Sequence, residues 1–151
     1  MTDTERVLRP VAGALALVVA GAHASWALPG MVRQLSVWQF PDPRPAAFLL
    51  ATMAILMGVA LAVQGFDPLP IYVAGIALML VFLGGYVAWH TVLDHGAFWP
   101  GRHAHGHADA SAVAVVVDHL VADGFALASK ATEAALLAVL VALTANEVRD
   151  R

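Results

Sequence analysis

No cysteine occurs among the 151 residues, which excludes disulfides, thiolate metal sites, iron–sulfur clusters and cysteine nucleophiles together. Charge is scarce: Asp, Glu, Lys and Arg make up 13% of the chain, against about a quarter in soluble domains. The net charge is −3 and Lys130 is the only lysine. With no block of like charges, no polyelectrolyte partner is indicated, and nucleic acid is excluded. G-x-S-x-G, H-E-x-x-H and a phosphate-cradling glycine loop are all missing. A hydrolytic or transfer enzyme is therefore the less favoured reading.

What the chain has is apolar residues, at 60% with a mean hydropathy of +0.76. A bilayer core of about 30 Å takes about 20 such residues as a helix. Four segments approach that length, at about 11–28, 46–63, 69–93 and 112–146. Pro10, the Pro41-Asp42-Pro43-Arg44-Pro45 breaker, Gln64-Gly65 and Pro70 punctuate them. The fourth carries Asp118, His119, Asp123, Lys130 and Glu133, and reads as one long helix or as two pieces hinged at Asp123-Gly124; the single helix is preferred. None has the ten-residue alternation of a barrel strand. Small residues recur every fourth position (Ala12, Ala16, Ala20, Ala24; Ala54, Gly58, Ala62), the seams that let helix backbones approach in lipid. The expected fold is one all-α domain: an integral membrane four-helix transmembrane bundle, antiparallel up-down, with a His-rich loop between helices 3 and 4. Its surroundings are the lipid bilayer, with other membrane subunits or a homo-oligomer as partners.

An even number of spans puts both termini on one side. Arg6, Arg9, Arg149 and Arg151 lie there, against Arg33, Arg44 and Arg102 on the other. The positive-inside rule then favours cytoplasmic termini in a cell membrane. Arg6 and Arg9 before an apolar run, with Ala22-His23-Ala24 beyond it, also fit a cleaved secretory signal over residues 1–24. The length of the run and its end at Pro29 favour a retained helix.

All seven histidines fall on the side away from the termini. His103-Ala104-His105-Gly106-His107 alternates imidazoles with small residues, and imidazole suits Zn²⁺, Cu²⁺ or Ni²⁺. The competing reading is a solvated loop with adventitious affinity. On a continuous third helix, Tyr86, His90 and Asp94 share a face within about 80°, while His95 points about 140° from His90. Asp94 is then placed to accept the second ring proton of His90. The expected divalent-metal site is His90, Asp94, His103, His105, His107 and His119, with Asp118 nearby. Affinity should fall with pH as protons compete for the nitrogens. Replacing His103, His105 and His107 by alanine should lower bound metal without changing helix content.

His119, Asp123, Lys130 and Glu133 also share about 80° of a continuous fourth helix, a polar stripe that must avoid lipid. Lys130 and Glu133 are natural ion-pair partners, which either lock helix register or serve ion or proton passage. His23 is expected in the upper bundle near that pair, as a hydrogen-bonded interior residue. Three functions follow: binding, sensing or helping to move a divalent metal ion at the outward face; a haem b electron-transfer subunit using His23 and His90 as axial ligands; or a ligand-free accessory subunit of a larger membrane complex.

Overall fold

The computed structural model describes residues 3–96 and 110–151. Three of the expected ligands, His103, His105 and His107, lie outside the described residues. Within them the chain forms α1 (Asp3–Val37), α2 (Arg44–Val63), α3 (Pro68–His90), a 3₁₀ turn (Asp94–Gly96), α4 (Ala112–Ala122) and α5 (Gly124–Arg149), with no strand. Four of the helices, α1, α2, α3 and α5, are long and apolar enough to cross a membrane.

α1 packs on α2 and α5, and α3 packs on α5. Val19, Met79 and Leu143 are among the most deeply buried apolar side chains, each 1% exposed. Gly75 on α3 leaves room for Leu140 of α5, since a Cβ there would stand 2.8 Å from Leu140 Cδ1. Large apolar side chains are also exposed along the helices: Leu50, Met53, Val63 and Val81 are 69%, 67%, 83% and 65% exposed. A helix that is hydrophobic all round is either buried in a large core or spans a membrane.

Several boundaries differ from the sequence expectation: α1 starts at Asp3 rather than about Val11, α3 stops at His90 rather than about Leu93, and two larger differences follow. α1 does not stop at Leu28; it runs through Pro29 to Val37. Tertiary anchoring outweighs the lost backbone hydrogen bond, which costs about 3 kcal/mol in a helix interior. A Cβ on Gly30 would stand 3.0 Å from Pro45 Cγ on α2, and buried Gln34 accepts from the Asp42 amide at 3.2 Å. The fourth segment is not one helix. It ends at Ala122 and restarts at Gly124, because Asp123 takes an extended conformation (φ −120°, ψ 96°) and caps α5. Its carboxylate accepts from the amides of Phe125 at 2.9 Å and Ala126 at 3.1 Å. Asp123→Ala should lower thermal stability in detergent by about 1 kcal/mol, the usual worth of such a cap. Full stability would mean that packing alone sets the break.

At the end of the molecule that holds the chain termini, Arg9 reaches Glu147 at 3.5 Å and Arg151 pairs with Asp67 in the turn between α2 and α3. That turn uses Gly65 at φ +82°, a conformation glycine adopts without a Cβ penalty.

Candidate metal centre

The opposite end gathers histidines. α3 stops at His90 because Thr91 leaves helical geometry (φ −114°, ψ −92°). Asp94 and His95 then adopt φ of 37° and 56°, a left-handed region that non-glycine residues rarely occupy and that clusters at functional sites. The reversal carries the His95 ring back over the helix end, 4.9 Å from the His90 ring and edge-on to it. From α4, the His119 ring lies 4.6 Å from that of His90 and 4.9 Å from that of His95. One nitrogen from each of the three histidines falls within 4.8 Å of the others.

Two of the rings are held in a defined tautomer. His90 Nδ1 donates to the Tyr86 carbonyl at 2.8 Å, and His119 Nδ1 donates to the Val115 carbonyl at 2.7 Å. A carbonyl oxygen only accepts, so the hydrogen is on Nδ1 and the lone pair of each neutral ring is on Nε2. Fixing the ring through its other nitrogen is how proteins orient ligating imidazoles. His95 Nε2 lies 3.1 Å from His119 Nε2, a contact that needs a hydrogen between the two nitrogens. Were a cation held there instead, His95 would carry its proton on Nδ1, where Asp94 Oδ1 lies 3.6 Å away. Tetrahedral zinc with bonds of about 2.0–2.1 Å separates ligand nitrogens by about 3.3 Å. The 3.1 Å pair is near that value, and small ring movements bring in the third. Three protein ligands leave a fourth position for water, as in open rather than structural zinc sites.

Beneath the three rings, a cavity of about 570 Å³ is lined by His23, His90, His119, Asp123 and Lys130 among others. Bordering it is a buried polar cluster around Glu133, which is 0% exposed. Glu133 accepts from His23 Nε2 at 2.9 Å, from Ser129 Oγ at 3.1 Å, and from Lys130 Nζ at 2.7 Å on each carboxylate oxygen. Lys130 Nζ also lies 5.3 Å from the Tyr86 ring centre. The carboxylate is thus surrounded by donors, the condition under which a charge is tolerated in an apolar interior.

The sequence-derived residues therefore separate into groups. His90 and His119 come together, joined by His95, which helix arithmetic had turned away from His90. Periodicity could not find His95, because 100° per residue holds only while the helix lasts and α3 ends at His90. Asp94 does not serve His90, whose Nδ1 is on the Tyr86 carbonyl; it stands beside His95. The polar stripe of the fourth segment is divided by the break at Asp123: His119 joins the rings, Asp123 is an exposed cap, and Lys130 and Glu133 face His23. Asp118 is exposed on α4. His23, considered as an axial haem ligand, has its Nε2 on Glu133.

No family model, no curated protein and no solved structure matches the chain.

Proposed function

We propose that this chain is a multi-pass membrane protein, an up-down antiparallel bundle of four spans, that binds a divalent transition-metal ion at its outward face through His90, His95 and His119. The observation that carries the reading is the convergence of three imidazoles from three chain segments, two of them with Nδ1 tied to a carbonyl, which puts Nε2 on the side of the other rings. Zn²⁺, Cu²⁺ and Ni²⁺ all suit imidazole, and the lack of thiolates disfavours Cu⁺. Membrane insertion is supported by apolar side chains exposed along the spans. The arginine bias supports cytoplasmic termini and a cell-membrane location. Binding then serves sensing, delivery or passage of the ion.

Elemental analysis of the purified, dialysed protein tests this, with an absorption spectrum taken alongside. The expected result is about one zinc, copper or nickel per chain, as a single three-histidine site requires, and no Soret band. A Soret band would make haem b the ligand instead. Absence of any binding after incubation with all three ions would leave an accessory subunit.

A further inference from the structure

We infer that α4 is an interfacial helix, lying along the lipid–water boundary at the histidine end with Val113, Val117 and Val121 set into the acyl chains. The inference rests on the membrane reading of the four long helices and not on the metal.

Length excludes a fifth span. α4 has 11 residues, about 16 Å as a helix against a bilayer core of about 30 Å. Its composition is nonetheless that of a span: from Ala112 to Ala122 only Asp118 and His119 are polar.

The helical step of about 100° sorts its side chains into three sectors. Val115, Val116, His119 and Leu120 fall within about 140° of one another and are the buried or half-buried ones. This sector faces the bundle, where α4 packs on α3 and α5 and His119 meets the rings of His90 and His95. Val113, Val117 and Val121 span about 80° more, and they are 74%, 49% and 74% exposed. Ala114, Asp118 and Ala122 fill the remainder and are also exposed. The exposed half is thus divided lengthwise into an aliphatic strip and a strip of Asp118 with small residues. A helix wholly in water gains nothing from that division, while one at a boundary presents each strip to its own solvent.

The occupant of the valine strip is lipid rather than protein. Protein interfaces concentrate their binding energy in Trp, Tyr and Arg, and valine is under-represented there. The neighbouring surface is of the same kind: beyond the corner at Asp123, Phe125 opens α5 at 51% exposure. At the same end of the molecule, Trp38 and Phe40 are 80% and 53% exposed, with ring centres 6.4 Å apart; tryptophan gathers at headgroup level. α4 carries no lysine or arginine, so apolar burial holds it and no anionic lipid is needed. The three converging histidines are thereby placed at headgroup depth.

The test uses the absence of cysteine, which lets each position be labelled alone. Val117→Cys and Asp118→Cys are each made in the full chain, spin-labelled and reconstituted into phosphatidylcholine vesicles. Power saturation then compares collisions with oxygen, which concentrates in hydrocarbon, and with chromium oxalate, which stays in water. The label at position 117 should sit about 5–10 Å below the headgroup boundary, the depth of an interfacial helix face, and collide mainly with oxygen. The label at position 118 should collide mainly with chromium oxalate. Val113→Cys and Ala114→Cys repeat the comparison about one turn earlier, so that a poorly folding variant does not decide the outcome. Val81→Cys, at a position 65% exposed on α3, reports on the membrane reading itself. Chromium oxalate reaching both 117 and 118, with oxygen dominant at 81, would overturn the interfacial placement alone. Chromium oxalate reaching 81 would overturn the membrane reading along with it. A label at 117 reached by neither reagent would mean that a second copy or another subunit covers the valines, and would overturn the inference as well.

Discussion

Alanine at His90 or at His119 is expected to weaken zinc binding by at least about a hundredfold. Losing even a residue that only orients a ligand costs 10–100-fold in affinity, and these two are proposed as ligands themselves. The order of effects discriminates the site from a generally sticky surface. His95→Ala should weaken binding comparably, because its Nε2 is 3.1 Å from that of His119. Asp94→Asn should cost about tenfold, since Asp94 acts through His95. Replacing His103, His105 and His107 together should cost less than any single change at the three converging rings. Competition titration against a chelator of known affinity measures all of these. Helix content should be unchanged, because His90, His95 and His119 are only half-buried. If the loop variant loses the ion and the His90 and His119 variants keep it, the three-histidine proposal fails.

Lys130→Ala is expected to be the most destabilising single change in the bundle, by about 3–5 kcal/mol. It leaves Glu133, fully buried, with the hydrogen bonds from His23 and Ser129 but without the ammonium that meets both of its oxygens. The converse double variant, Lys130→Met with Glu133→Leu, should recover most of that loss. Replacing a buried ion pair with apolar residues of similar volume is often neutral or stabilising. Unfolding in detergent followed by circular dichroism reads both. Equal losses in the single and double variants would show that shape at these positions matters and charge does not. Recovery in the double variant would identify the pair as a device for choosing helix register, since Lys130 and Glu133 sit on α5 while His23 holds the carboxylate from α1.

The apolar runs made the four long helices legible. The 18-residue run from Ala46 and the run after Pro70 have no other stable form in hydrocarbon, where each backbone polar group must be satisfied within the segment. The ends were less legible, for local reasons. Pro29 reads as a stop, yet α1 continues because Gln34 and Gly30 meet the segment around Asp42 and Pro45; those contacts run from one helix to the next segment and leave no periodic trace. The break at Asp123 did leave a trace, an Asp-Gly pair with amides to cap, but the continuous apolar pattern on either side argued for one helix. His90 and His119 were readable because both lie at helix ends. His95 was not, since its place depends on two consecutive residues with positive φ, and nothing in their side chains announces that geometry. The neighbourhood of His23, Lys130 and Glu133 followed from depth alone: counting 1.5 Å per residue puts them at similar heights.

α4 is 11 residues long and packs on α3 and α5, with His119 also meeting His95 of the 3₁₀ turn. Coordination by His95 and His119 would link positions 24 residues apart, a cross-tie that removes chain freedom as a disulfide does. A protein without cysteine would thereby acquire a reversible staple, fastened by an ion and undone by a chelator, that holds its shortest helix across the ends of two longer ones.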